Sequence, residues 1–277
     1  MIGSFQVRAI MAELEVLSRL PEQSNDKSPL LFVHGAWHGA WCWDEHFMPY
    51  FADLGYSTYA ISLRAHGKSP GRLRWASLSD YVADVAKVAA SLPSPPILIG
   101  HSMGGGVVQK YLESHDAPAA LLLASMPPSG VIGFTLKFAR TYPLRFLKVI
   151  STLSLFPVVE TCGLAREFFF SDELPTDLVT FYAGQLKDES FRAFLDILAL
   201  NLPKPNRVRT PVLVLGAERD TIFPPSAVHA TATAYRTSAT MLPGLAHDMM
   251  LDARWRDAAD AIAGLLHEGN RRCAGSR

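Results

Sequence analysis

Short apolar runs of strand length alternate along this chain with longer stretches whose apolar residues recur at helical spacing. Leu30–Val33 is a continuous apolar run ending in His34-Gly35, and Trp41–Leu54 has helical spacing closed by Gly55. Ser57–Leu63 reads as a strand, and Ser79–Leu92 as an amphipathic helix behind a Ser/Asp start. Pro96–Gly100 is a short buried strand leading into a helix at Met103–Ser114. Ala119–Met126, Val212–Gly216 and Ala239–Leu242 read as three more strands, the last followed by a helix at Arg254–His267. Apolar runs that do not alternate belong to strands covered on both faces. The pattern therefore predicts an α/β fold with a mostly parallel central sheet and helices on both sides. Phe5–Leu17 alternates roughly, as an edge hairpin would.

The alternation stops between about Ser129 and Asn206. No strand-like run occurs there, and helical segments rich in phenylalanine take its place, among them Phe134, Phe138, Phe146 and the run Phe168-Phe169-Phe170. A helical block between two sheet strands predicts a cap over the carboxyl ends of the strands, the edge at which open α/β sheets bind ligands. The expected organisation is a core of residues 1–128 and 207–268, a helical cap of residues 129–206, and a polar, disordered tail of residues 269–277. Trp37, Met126, Phe134 and Phe138 are the candidate substrate-binding residues, with Met103, Met249 and Met250 also expected near the cleft. Leu144–Val159 holds enough apolar residues to rest on a membrane surface, but the scarcity of Lys and Arg beyond Lys148 favours a buried cap helix.

Composition narrows the function. Of 277 residues, 26 are Lys or Arg and 26 Asp or Glu, so the net charge is zero, and 49% are hydrophobic. That is the composition of a folded globular chain, and without a basic block it does not suit a nucleic-acid binder. Apolar stretches such as Ala117–Ala124 and Leu153–Val159 fall well short of the ~18–20 residues of a membrane span. Met1–Leu20 mixes Arg8, Glu13, Glu15 and Arg19 into its apolar residues and does not read as a signal peptide. Cys42, Cys162 and Cys273 form neither a CxxC pair nor a disulfide framework, and no Cys/His cluster has zinc-ligand spacing. A cytoplasmic location without metal or cofactor is the expectation.

The strongest local signal is Gly100-His101-Ser102-Met103-Gly104, which fits G-x-S-x-G between a buried strand and a helix. The glycines allow a sharp strand-to-helix turn that exposes the serine hydroxyl beside the backbone N–H groups of a helix N-terminus. A serine nucleophile needs a base, and the base an orienting carboxylate, here in the chain order Ser, acid, His. Asp220 follows the strand Val212–Gly216, and His247 follows Ala239–Leu242, so both sit at the same sheet edge as Ser102. Asp220 is preferred to Glu218, which reads as a surface charge. No Asp or Glu occurs between Asp116 and Glu160, which removes the preceding strand as a source of the acid. Asp248 is expected to face away from His247 and brace its loop. The N–H groups of Ala36 and Met103 would hold an oxyanion, a stabilisation of about 3 kcal/mol per donor. His34 is assigned to fixing the loop through backbone hydrogen bonds, and His101 to no catalytic step.

These segments together resemble the α/β-hydrolase fold superfamily over nearly the whole chain, from Leu30 to His267. HGAWHGAWCW, residues 34–43, is similar to the loop of the plant methylesterase and hydroxynitrile lyase group. Ser62–Ser69 is similar to the LRGHGxS stretch of microbial esterases and lysophospholipase-like hydrolases, with Ala65 where that family has glycine. The resemblance implies the reaction type, a serine hydrolase acting through Ser102, His247 and Asp220 on a carboxylic ester, thioester or lactone, and the Phe-rich block suggests an apolar acyl or aromatic group on the substrate. Two rivals keep the same triad: a cofactor-free perhydrolase or haloperoxidase, and a hydroxynitrile lyase. The latter lacks an obvious lysine near the nucleophile. A third is a non-catalytic small-ligand receptor on the same fold.

Overall fold

The computed structural model describes residues 6–11, 14–23 and 25–274. Its centre is one eight-stranded sheet: β1 Gln6–Met11, β2 Leu14–Arg19, β3 Leu30–Val33, β4 Thr58–Ile61, β5 Ile97–His101, β6 Ala120–Leu123, β7 Val212–Ala217 and β8 Ala239–Leu242. The strand order is β1-β2-β4-β3-β5-β6-β7-β8. β1 and β2 pair antiparallel, as does β2 with β4, and every later pairing is parallel. The expected edge hairpin is therefore present, although Phe5, Ala12 and Glu13 lie outside the described residues. β3, β4, β5 and β6 are buried at every position, as continuous apolar runs require.

The helices around the sheet are α1 Trp41–Asp44, α2 Phe47–Asp53, α3 Leu78–Ser91, α4 Met103–Tyr111, α10 Pro225–Ala234 and α11 Trp255–Ala274. α3 begins with a capping box: the Ser77 hydroxyl accepts from Asp80 N–H, and the Asp80 carboxylate accepts from Ser77 N–H. The single helix expected over Trp41–Leu54 is two. The break falls at His46, whose ring stacks on Trp255 with centroids 4.5 Å apart, so a tertiary contact overrides the local pattern. α11 continues through Ala274 into the segment read as a polar tail, because Gly269 alone lowers helix propensity without supplying a stop. Gly275, Ser276 and Arg277 lie outside the described residues.

Between β6 and β7 there is no strand. The chain forms α5 Ile132–Thr141, α6 Pro143–Thr152, α7 Cys162–Phe169, α8 Thr176–Gln185 and α9 Phe191–Leu195, the last running into a π turn over Asp196–Leu200. Leu78 N–H donates to Asp196, and the Ser190 hydroxyl to the carbonyl of Ala76, tying this block to the start of α3. The expectation of a buried α6 is corrected: Leu144 is 82% exposed and Leu147 63%. Only the Phe146 and Val149 side of that helix turns inward, because ten residues give two turns and one inward stripe.

On the loop after β4, Ala65 stands at φ 65°, a left-handed conformation that costs an L-residue about 1–2 kcal/mol. Glycine there would remove that strain and restore a smaller entropy cost of about 0.5–1 kcal/mol. Ala65→Gly is thus expected to stabilise the chain by about 0.5–1 kcal/mol, a rise of roughly 2 °C in Tm by thermal denaturation. An unchanged or lower Tm would show that the loop carries no such strain.

Candidate active site

β5 ends at His101, and Ser102 takes φ 51° and ψ −120° before α4 begins. Such a conformation stores about 1–3 kcal/mol and persists only where its surroundings enforce it. Here the enforcement is steric. A Cβ on Gly104 would meet the carbonyl oxygens of His34 and Val33 at 2.3 and 2.4 Å, and one on Gly100 would meet that of Gly104 at 2.7 Å. The G-x-S-x-G glycines thus let β5, α4 and the loop after β3 close on one another. Ser102 N–H donates to the carbonyl of Leu123, and Met126 N–H to that of Ser102.

The structure brings the three residues singled out by order into one hydrogen-bonded chain. The Ser102 hydroxyl lies 2.9 Å from His247 Nε2, and His247 Nδ1 lies 2.7 Å from Asp220 Oδ2. The other oxygen of Asp220 accepts from the N–H groups of Ile222 and Phe223, at 2.8 and 2.9 Å. All three side chains are buried, with Ser102 8% exposed. Burial by itself favours a neutral His247 ring. The Asp220 charge and its hydrogen bond outweigh burial and hold the imidazole above its ordinary range. Glu218 is exposed and accepts from Gly244 N–H, apart from this chain.

Ser102 opens onto a cleft of about 730 Å³, part of it open to solvent. Ala36, Trp37, Met103, Met126, Phe134 and Phe138 all line it. Met103 is the first residue of α4, so its N–H has no acceptor one helical turn back. Trp37, at φ 66°, belongs to both wall and core: its indole donates to the carbonyl of Leu155, and its own carbonyl accepts from Lys187 N–H. Met249 and Met250, expected near the cleft, are fully buried and do not line it. Phe146, Val149, Leu155, Phe194, Ile222 and Phe223 line it as well, beyond the four residues expected from the sequence. Their apolar character is visible in the sequence, but their direction depends on how the helices between β6 and β7 sit.

Glu189 is the charged member of the described lining, and no local motif marks it. Its carboxylate accepts from the Tyr81 hydroxyl at 2.7 Å, from Ser190 N–H at 2.6 Å and from His66 Nε2 at 3.1 Å. Burial would raise its pKa, but His66 and these bonds hold it below the usual carboxylate range. His66 in turn rises above the usual imidazole range, burial being outweighed by Glu189.

Asp248 does not merely brace the loop from outside. It is fully buried, with Oδ2 2.9 Å from His38 Nε2 and Oδ1 3.6 Å from His101 Nε2. The His38 contact is an ion pair whose angle departs from that of a good hydrogen bond. His38 Nδ1 donates to the carbonyl of Ala36 at 2.8 Å, and a carbonyl only accepts. Its Nε2 therefore stands opposite the buried carboxylate of Asp248. The residue after His247 is in this way tied to the Ala36 loop. His101 donates from Nε2 to the carbonyl of His247 at 3.0 Å and, through burial above all, its pKa falls to about 3. His34 donates from Nδ1 to the carbonyl of Gly35 and accepts from Leu63 N–H, a neutral ring fixing two loops. Among the described residues, His101, His247 and Asp248 are close enough to share a cation. The ring nitrogens of His247 are already engaged by Ser102 and Asp220, so a cation there would displace one of them.

The sequence profile of the alpha/beta hydrolase family matches residues 30–262. The chain belongs to the alpha/beta hydrolase family. Norfluorocurarine synthase 1 of Strychnos nux-vomica is 35% identical over 106 residues, 36% of this chain and 40% of that protein. A non-heme haloperoxidase of Rhodococcus erythropolis is 33% identical over 104 residues, 36% of this chain and 38% of that one. The chain thus aligns with about two-fifths of the length of these curated relatives. Among solved structures, the monoacylglycerol lipase of Paleococcus ferrophilus superposes with a TM-score of 0.69 at 20% identity, covering 93% of this chain and 99% of that one. At such identity the likeness is one of fold. Among the described residues of this alpha/beta hydrolase, no helix is long and apolar enough to cross a membrane.

Proposed function

We propose that this alpha/beta hydrolase cleaves a neutral, apolar carboxylic ester through Ser102, His247 and Asp220. The observation that carries the reading is the hydrogen-bonded chain from Asp220 through His247 to Ser102, ending at an apolar cleft. His247 Nε2 takes the Ser102 proton as Oγ attacks the ester carbonyl. The N–H groups of Ala36 and Met103 hold the resulting oxyanion. Collapse returns the proton to the departing alcohol and leaves an acyl-serine. Water, deprotonated by His247, then releases the acid and restores the serine. Asp220 fixes the imidazole tautomer and stabilises its cation throughout. Phe134, Phe138, Phe146 and Val149 suit an apolar acyl chain, while Glu189 disfavours a second anionic group on the substrate.

The test is hydrolysis of p-nitrophenyl esters from acetate to palmitate, with covalent labelling of Ser102 by a fluorophosphonate. Activity peaking at medium or long chains is expected. No hydrolysis at any length together with no labelling would remove the reading and favour a non-catalytic receptor. Because the base must be neutral and its pKa is raised, the acid limb of kcat/KM is expected above the ordinary imidazole value of 6.5. A limb below that value would count against His247 as the base.

The relative described as a haloperoxidase favours a second reading, in which peroxide rather than water intercepts the acyl-serine. Peroxide-dependent bromination in acetate, absent from Ser102→Ala, supports that reading. Its absence beside ester hydrolysis dismisses it.

A further inference from the structure

α5 and α6 each have two apolar faces. Their inner residues Phe134, Phe138, Phe146 and Val149 line the cleft. On the outside, Ile132 is 55% exposed, Leu136 48%, Leu144 82% and Leu147 63%. A helix at the surface of a water-soluble protein ordinarily shows polar residues on its outer face, so this contiguous exposed stripe calls for a partner. Leu144, Leu147, Lys148 and Ser151 stand at helical spacing on one side of α6, with Leu153 following.

The stripe continues into a groove lined by Arg74, Trp75, Leu153, Phe191 and Arg192, in which Trp75 is 71% exposed. Groove and cleft lie on opposite sides of the same two segments. Residues 149–155 give Val149 and Leu155 to the cleft and Leu153 to the groove, and residues 191–195 give Phe194 to the cleft and Phe191 to the groove.

Charge says what fits. From residue 117 to 159 there is no Asp or Glu, while Lys137, Arg140, Arg145 and Lys148 all occur there. Arg145 and Lys148 share the one carboxylate of Glu160. Arg72 and Arg74 add exposed cations beside Trp75. A second copy of this chain meeting the face like-to-like would set cation against cation. A plane of anionic headgroups over acyl chains matches both the charge and the apolar stripe.

We propose that this outer face of the cap rests on an anionic lipid surface. Leu144 and Leu147 enter the acyl boundary, Trp75 lies at headgroup level, and Lys148, Arg140 and Arg74 face the phosphates. The cleft then opens just behind the bound face. The proposal goes beyond the esterase reading and does not depend on it, since lipid binding is read without turnover.

The experiment is co-sedimentation of the full chain, and of Ser102→Ala, with vesicles of phosphatidylcholine alone or mixed with phosphatidylglycerol. Binding to the mixed vesicles, weakened by salt, is expected for both proteins. The double variant Leu144→Ser/Leu147→Ser is expected to bind about tenfold more weakly. Both positions are exposed, so its circular dichroism should match that of the parent. No binding to the mixed vesicles, equal binding to phosphatidylcholine alone, or undiminished binding by the double variant would overturn the proposal. So would a wild-type dimer, by light scattering, that the double variant renders monomeric, since the face would then belong to a second copy.

Discussion

Ser102→Ala is expected to lower kcat for p-nitrophenyl ester hydrolysis by ~10⁴-fold or more and to abolish fluorophosphonate labelling, while leaving the fold in place. The expectation rests on the chemistry of the acyl-serine route. Without Oγ there is no acyl-enzyme, and His247 and the oxyanion donors retain only what they do for direct attack by water. Folding should survive because alanine occupies the same φ 51° turn, enforced by the close approach of Gly104 to the loop after β3. The lost contact is one neutral hydrogen bond of 2.9 Å to His247, worth about 1 kcal/mol. The measurement is steady-state hydrolysis beside a thermal melt. Wild-type turnover in the variant would remove Ser102 from the reaction, whereas a collapsed Tm would show that the residue acts first on the fold.

The parallel strands were legible because each is a short apolar run buried on both faces, and no rival pattern competes with Leu30–Val33 or Ala120–Leu123. Ser102, Asp220 and His247 were legible for a related reason. Parallel strands bring their carboxyl ends to one sheet edge, so polar residues on the loops after β5, β7 and β8 start close together. Side-chain direction was less legible wherever it depends on a distant element. His46 breaks a helix because Trp255, more than two hundred residues later, stacks on it. Leu144 and Leu147 look like core residues in the sequence, and only the placement of Phe146 and Val149 over the cleft shows that they turn outward. Glu189 is marked by no local pattern, and its place depends on Tyr81 and His66, more than a hundred residues earlier. The contact of Asp248 with His38 joins positions 210 residues apart, which no local pattern reveals.

That pair carries the largest expected effect on stability. Asp248→Leu should destabilise the chain by about 3–5 kcal/mol, since it removes one partner of a buried ion pair and leaves His38 facing hydrocarbon. Asp248→Asn should cost less, about 1–2 kcal/mol, because an amide keeps a polar group opposite His38 Nε2. The order of the two variants is the informative outcome: equal losses would mean that side-chain volume, and not the charge opposite His38, decides the site. The pH dependence follows from the carboxylate. Burial alone would raise its pKa, but His38 and then His101 lower it below the ordinary 3.8. Its contribution is therefore fully present above the unfolded value and is lost as pH falls through the lower folded one. The stability gap between wild type and Asp248→Asn, measured by urea unfolding, should hold from neutral pH down to about pH 4 and shrink below it. Because His38 Nδ1 also holds the carbonyl of Ala36, the Leu variant that still folds should lose kcat with little change in KM, as a displaced oxyanion donor would dictate.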